Sequence, residues 1–383
     1  MHITSDIKYV GVTDTNIDLF EGLYRVPDGI SYNSYVIIDE QIAVMDTVDV
    51  GFTSQWLEQI QNLLGECKPH YLIVQHMEPD HSAGILSFIQ KYPQAYIVAS
   101  AKAFAMMVNY FGRDFADHQI VVTDGDELIL GRHKLVFTTA PMVHWPEVIV
   151  TYDATDKILF SADAFGKFGL LDTKNWVDEA RRYYIGIVGK YGVYVQKFLG
   201  KAAGWDIRTI CPLHGPVLSE NPEYYMGLYH TWSTYEPEED GVLIAYTSIY
   251  GNTKKAALLL SEKLKEKGSP KVEVRDLARC DLSEAVAEAF RYSKLVLATT
   301  TYNTQIFPPM REFIMWLTER NFSNRTVAFV ENGSWMPIVA RLMKDAFERS
   351  KGITFAGNTV QILSALNEES TAQIEALAEE LCE

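Results

Sequence analysis

The segment Ile73–Gly84, "IVQHMEPDHSAG", crowds His76, Glu78, Asp80 and His81 into six residues. An apolar run, "YLIVQ", comes just before it, and a small-residue helix start, "SAGILSFIQ", just after. In extended backbone alternate side chains point the same way, so His76 and Glu78 can converge on one ion. Pro79 then bends the chain and lets Asp80 and His81 approach from another side. The alternative is a solvated acidic loop that caps a helix.

Three further loops weigh against that alternative. "TTAPMVHWPEV" places His144 just beyond a strand, in a turn that carries Pro141 and Pro146. "KILFSADAFG" places Asp163 at the end of an apolar strand, where an unpartnered carboxylate is costly. "TICPLHGPV" places His214 after another strand, between Pro212 and Gly215. A single histidine in such a place is more often structural. A His or carboxylate in the same position after four strands reads as a metal site. His2, His70, His118, His133 and His230 match no such position and read as structural or surface residues.

The chain around these loops has 383 residues, 48% hydrophobic and 22% charged, enough for two or three domains with sizeable cores. A net charge of −16 argues against non-specific binding to nucleic acid or anionic membrane, which needs clustered Lys and Arg. "MHITSDIKY" lacks the pattern of a signal peptide. No apolar run reaches the roughly 18 residues of a membrane span. The four cysteines are scattered without a C-x-x-C pair, which points to a cytoplasmic protein with reduced thiols.

The acidic, proline-containing connector in "TWSTYEPEEDGVLIAY" marks a domain boundary near residue 240, giving domains of residues 1–240 and 241–383. Before it, dense strands such as "SYVIID", "IAVMDTV", "HKLVFTT" and "EVIVTYD" alternate with helices such as "TSQWLEQIQNLL". This predicts an αββα sandwich of two packed sheets. After it, "VLIAYTS", "KVEVRDL", "KLVLATT", "TVAFVEN" and "TFAGNTVQI" alternate with helical stretches, which predicts a doubly wound parallel sheet.

In that second half, "LIAYTSIYGNTKKAA" runs from a buried strand into a helix through Thr247, Ser248, Ile249, Tyr250, Gly251, Asn252 and Thr253. Hydroxyls and backbone N–H groups ahead of a helix N-terminus favour an anion. The loop has neither a Walker lysine nor a G-x-G-x-x-G, so a neutral cradle for a monophosphate such as that of FMN fits better than an NTP or dinucleotide site. An N-capped helix after a tight turn is the plain alternative. "ATTTYNTQIFPP" adds Thr300, Thr301, Tyr302 and Asn303 after the third strand, and "VENGSWMP" adds Asn332, Gly333, Ser334 and Trp335 after the fourth. Ligands of doubly wound sheets bind outside the carboxyl ends of the strands.

The series His76-x-Glu78-x-Asp80-His81, His144, Asp163, His214 resembles the metallo-β-lactamase fold, and more narrowly its iron form in the flavodiiron proteins. The phosphate loop, of the form T/S-x-x-x-G-x-T, resembles that of flavodoxin. Hydrolases of the first fold usually carry His where this chain has Glu78. Added carboxylate moves a site from zinc toward harder, oxygen-rich coordination suited to iron. The resemblance implies one iron on His76, Glu78 and His144, a second on Asp80, His214 and possibly His81, and Asp163 bridging them. For His81 a hydrogen-bonding role beside the metals stands as the alternative. Tyr302 and Trp335 are the candidates to flank the isoalloxazine ring. The family reduces O2 to water, NO to N2O, or both. The implied donor is an external protein, rubredoxin first, and the implied assembly is a head-to-tail homodimer or a dimer of such dimers. In "VDEARRYYIGIVGKYGVYVQKFL", read as a helix, Tyr191 and Tyr194 are candidates to hydrogen-bond a bound oxygen species, with ordinary packing the favoured reading. A hydrolase fused to a flavodoxin-like carrier, and a pure electron carrier, are the competing functions.

Overall fold

The computed structural model describes residues 3–172 and 174–383; His2 lies outside them. The chain forms two compact units, Met1–His230 and Thr231–Glu383, which meet within the helix Pro222–Thr234. Residues 231–240 pack with the second unit because polar bonds tie them there. The Glu238 N–H donates to the Arg291 carbonyl at 2.9 Å, and the buried Arg325 guanidinium donates to the Tyr235 carbonyl at 2.6 Å. Burial pushes the Arg325 pKa down to about 10.

The first unit holds a six-stranded and a five-stranded sheet. The six-stranded sheet runs in the order Ile7–Tyr9, Tyr35–Ile37, Ala43–Met45, Tyr71–Ile73, Tyr96–Ala99, Gln119–Val121, antiparallel in its first two pairings and parallel in the rest. The five-stranded sheet runs Glu127–Ile129, Lys134–Thr139, Ile149–Asp153, Ile158–Phe160, Thr209–Cys211, with only the last pairing parallel. Inward side chains of both sheets, including Tyr35, Met45, Ile73, Phe137 and Phe160, form one buried core. Helices Thr53–Leu64, Ile85–Lys91 and Ala101–Phe111 supply crossovers of the first sheet, and Trp56 packs on Phe88 with ring centroids 5.8 Å apart. This is an αββα sandwich. The loops carrying His76 to His81, His144, Asp163 and His214 all follow the carboxyl ends of strands.

The segment after Asp163 departs from the continuous helix predicted from its sequence. It divides into an α-helix Trp176–Tyr183, a π-helical turn Tyr184–Val188, a 3₁₀ turn Gly189–Tyr191 and an α-helix Gly192–Ala202. Gly186 marks the break: a Cβ there would lie 2.8 Å from the Tyr24 ring. A π turn widens the helix and changes the register of everything after it.

The second unit is a parallel sheet in the order Val272–Asp276, Glu239–Tyr246, Tyr292–Tyr302, Thr326–Asn332, Thr354–Ile362, which numbered along the chain is 2-1-3-4-5. Helices Asn252–Glu266 and Glu368–Glu380 cover one face through Ala256, Leu260, Leu264, Ile374 and Leu377. Leu282–Arg291, Pro308–Glu319 and Val339–Ala346 are the other crossovers. This is the doubly wound, flavodoxin-like architecture. Its switch point lies between the first and third strands, where ligands of such sheets bind.

Gly29 turns the chain into the strand Ile30–Tyr32 at φ +82°, and a Cβ there would run into the Asp14 carbonyl. Strain and overlap act together in Gly29→Ala, predicted to destabilise the first unit by about 3 kcal/mol. Urea unfolding of purified protein checks this; an unchanged midpoint contradicts it.

Candidate functional site

His76, Glu78, His144 and Asp163 meet around one point in the first unit. His144 Nε2 lies 3.1 Å from Glu78 Oε2 and 3.0 Å from Asp163 Oδ2, and His76 Nε2 lies 3.3 and 3.4 Å from the same two oxygens. Beside it a second group forms. His81 Nε2 is 2.9 Å from His214 Nε2, each ring is 3.4 Å from Asp80 Oδ2, and Asp163 Oδ1 lies 3.3 Å from His81 and 3.8 Å from His214. The two oxygens of Asp163 therefore face different groups. His81, whose role the sequence left open, has its Nε2 inside the second one.

Several residues the sequence reading did not single out hold this arrangement. Glu147 Oε1 accepts from the Met77 N–H at 2.8 Å and lies 2.9 Å from His76 Nδ1. The Ser31 carbonyl, an obligate acceptor, lies 2.7 Å from His214 Nδ1. Each contact places the ring proton on Nδ1 and leaves the Nε2 lone pair for a cation. Asp46, itself at φ +53°, accepts from the Gln75 N–H at 2.7 Å and from Gln75 Nε2 at 2.9 Å, which fixes the backbone just before His76. Ala162 and Phe165 bracket Asp163 at φ +50° and +67°, a strained loop of the kind that clusters at functional sites. The signal for Glu147 was present in "HWPEV", three residues beyond His144. Asp46 and Ser31 carried no signal, because their partners are distant in sequence.

The donor set fits metal ions. Both carboxylate oxygens of Asp80, and Oδ1 of Asp163, are buried without a hydrogen-bond partner among the described residues. Three carboxylates and four imidazoles share a dry volume, an arrangement that is unfavourable unless cations fill it. Burial pushes the Asp163 acid up, but the charges of His76 and His81 and hydrogen bonds from His144 and His76 outweigh it and hold the pKa well below the usual range. Burial lowers the His144 pKa, but bonds to Asp163 and Glu78 carry it up to about 9. His133, Asp153 and Asp156 form a third cluster of possible ligands. There Arg132 binds both oxygens of Asp156 at 2.8 Å, so a guanidinium already supplies the positive charge.

Tyr191 and Tyr194 do not approach the cluster in the described contacts. They pair with each other at 6.3 Å between rings, and Tyr194 is 39% exposed. On a straight helix they would share a face with Tyr183; the π turn breaks that register. Tyr183 is the tyrosine that comes close. Its ring centroid is 5.6 Å from that of His214, and its buried hydroxyl has no partner among the described residues. Burial, with the charges of Asp163, Glu78 and Asp80, holds its pKa well above the phenol range.

In the second unit a cavity of about 440 Å³ opens at the switch point of the sheet. Ser248, Ile249, Tyr250, Asn252, Thr253, Thr300, Thr301, Tyr302, Asn303, Asn332, Gly333, Ser334 and Trp335 line it, together with Thr304, Met336 and Ser364, which the sequence reading did not name. Thr247 and Gly251 are not in the lining. Thr247 is buried beneath the loop with Oγ1 2.5 Å from Thr299 Oγ1, and Gly251 turns the chain at φ +89° ahead of the helix Asn252–Glu266. Hydroxyls, a helix N-terminus and the exposed rings of Tyr302 and Trp335 fit a flat aromatic ligand carrying one phosphate.

Two measurements follow from the metal cluster. Glu147→Gln keeps an acceptor for His76 but removes its charge, and is predicted to weaken metal affinity by about 10- to 100-fold in a chelator competition. The metal-free fold depends on a protonated His144, so it is most stable below the ordinary histidine value of 6.5 and loses that contribution as pH rises through about 9. Glu78 and Asp163, depressed, contribute above their ordinary values of 4.5 and 3.8 and lose that contribution as pH falls. Thermal unfolding with chelator should therefore peak at about pH 5 to 6, whereas metal-loaded protein should keep gaining toward pH 8, because metal competes with protons.

Residues 30–215 match the family described as ODP family beta lactamase. An uncharacterized protein of Methanocaldococcus jannaschii is 30% identical over 359 residues, covering 91% of this chain and 89% of its own. The anaerobic nitric oxide reductase flavorubredoxin of Vibrio vulnificus is 28% identical over 366 residues, covering 91% of this chain and 74% of its own. Among solved structures, rubredoxin oxygen:oxidoreductase from Desulfovibrio gigas superimposes at a TM-score of 0.91 and 23% identity over 99% of this chain and 97% of its own. The flavodiiron protein from Giardia intestinalis superimposes at 0.91 and 23% identity, over 99% of this chain and 96% of its own. With the metal cluster, the flavin-type cleft and relatives along the whole chain in agreement, this protein belongs to the flavodiiron family.

Proposed function

We propose that the protein is an oxidoreductase that reduces O2 to water, NO to N2O, or both, at a non-haem diiron site in residues 1–240. Electrons pass through FMN in residues 241–383. The observation that carries this reading is the Asp163 carboxylate, whose two oxygens face two separate ligand groups. His76, Glu78 and His144 would hold one iron, Asp80, His81 and His214 the other, and Asp163 both. Such an iron pair supplies two electrons and a place for both ends of a diatomic molecule or for two molecules, and FMN supplies two electrons more.

The chain's own residues set the conditions. Glu147 and the Ser31 carbonyl keep His76 and His214 in the ligating tautomer. Glu78, Asp80 and Asp163 set a carboxylate-rich field that favours iron over zinc. Phe20, Tyr32 and Tyr183 pack around His214 at 5.3, 6.0 and 5.6 Å between centroids and exclude bulk water from that side. The Tyr183 hydroxyl, buried and within the field of the Asp163, Glu78 and Asp80 charges, holds its proton.

Relatives named for nitric oxide and for oxygen keep both gases in the reading. The same names support rubredoxin, or a protein like it, as donor. A head-to-tail homodimer, which would set the flavin of one protomer beside the metals of another, completes the proposal, as does a cytoplasmic location for a chain whose cysteines are all free. No helix among the described residues is long and apolar enough to cross a membrane.

Purified protein is predicted to carry two irons and one FMN per chain and, once fully reduced, to be reoxidised rapidly by at least one of the two gases in anaerobic stopped-flow. A colourless, zinc-only protein would overturn the proposal. Glu78→His is predicted to lower iron content and gas reduction together; wild-type values of both in that variant would count against the assigned ligand set.

A further inference from the structure

Trp335 is 88% exposed and Met336 49% exposed, so the loop that forms one wall of the flavin cavity buries little apolar surface of its own. Polar anchors must hold it. At its start the Gly333 N–H donates to the Ile362 carbonyl at 3.0 Å, and Asn332 exchanges bonds with the Ser364 backbone at 3.1 and 3.2 Å. At its end the Ile338 N–H donates to Thr301 Oγ1 at 3.2 Å, and the Ala340 N–H donates to Glu331 Oε2 at 3.0 Å.

Glu331 is out of place by composition. Alternate residues of the strand Thr326–Asn332 share a face, and on the face of Val327 and Phe329 the next position is this carboxylate. It is only 6% exposed and makes no ion pair among the described residues. Its two oxygens have specific partners instead. One accepts from Ala340, in the first turn of the helix Val339–Ala346, whose N-cap residue Ile338 has no side-chain cap to offer. The other accepts from Gln361 Nε2 at 2.9 Å, directly across the pairing with the strand Thr354–Ile362. A carboxylate at a helix N-terminus is favourable, and an apolar residue here would fill the space but leave that N–H without it.

We propose that Glu331 is a positioning residue for the flavin site. It caps the helix Val339–Ala346 from the neighbouring strand and thereby fixes the wall that carries Trp335. The inference rests on reading the cleft as an FMN site, and its test separates the two. Glu331→Leu removes both bonds at similar volume. Glu331→Gln keeps both, accepting from Ala340 through its amide oxygen and donating to Gln361 once that amide turns over.

The FMN-free protein is measured first by hydrogen–deuterium exchange. E331L should raise exchange of the amides of residues 338–341 tenfold or more, and E331Q, which keeps the hydrogen bonds and loses only the charge, should raise it severalfold less than E331L. FMN titration, read by quenching of flavin fluorescence, should then show tenfold or weaker binding for E331L and near wild-type binding for E331Q, with iron content unchanged in both. Should E331L not fold, Glu331→Asp, one methylene too short to reach Ala340, replaces it with the same expectation. Unchanged exchange in E331L, or equal loosening in E331L and E331Q, overturns the capping role. Weakened exchange protection in E331L with unchanged FMN affinity overturns its link to the flavin. Wild-type protein that takes up no FMN sinks the reading of the cleft, while the exchange result still decides the role of Glu331.

Discussion

Three carboxylates and four imidazoles sharing a buried gap at the strand ends are the constraint on which the first unit turns. Such a group is strongly unfavourable in a dry interior unless positive charge sits inside it. Much of the surrounding chain keeps it in place: the Asp46 clamp on Gln75, the Glu147 contact with His76, the Ser31 contact with His214 and the strained turn around Asp163. The sandwich provides the platform. Its short strands, packed on a common apolar core, end where the ligating loops begin.

The second unit solves a different problem with the opposite charge logic. Its cleft offers hydroxyls, backbone N–H groups and the start of a helix, all neutral or partly positive, at the switch point of a parallel sheet. The walls are loops with little apolar contact of their own, so anchors reaching across from the strands decide their shape. Glu331 and Asn332, adjacent in one strand, anchor the two ends of the same loop from opposite faces of the sheet.

The ligand loops were legible because metal chemistry restricts residue type sharply. His, Glu, Asp and His at the ends of apolar runs have few other reasons to recur. The flavin loops were legible for a related reason, since a phosphate cradle needs small, hydroxylic, glycine-containing turns ahead of a helix. The supporting residues were not. Ser31 and Asp46 are ordinary residue types whose meaning comes from partners 183 and 29 positions away, and Glu147, although it stands beside His144 in "HWPEV", takes its role from His76, 71 positions away. The tyrosines show the same limit from the other side. The resemblance offered Tyr191 and Tyr194 as candidates beside the metals, with packing the favoured reading; the helix breaks at a π turn, where Gly186 leaves room for the Tyr24 ring, and Tyr183 is the tyrosine that comes close.

By itself, then, the sequence determined the two architectures, the order in which they follow one another and the chemical type of each site, because hydrophobic period and ligand chemistry are local properties. Only the tertiary structure decided that Asp163 turns one oxygen to each ligand group, that His81 stands among the second group and that Tyr183 is the phenol beside it. Those facts depend on ångström-scale separations between segments far apart in the chain. Such separations come from packing the two sheets against each other, and no local pattern encodes them.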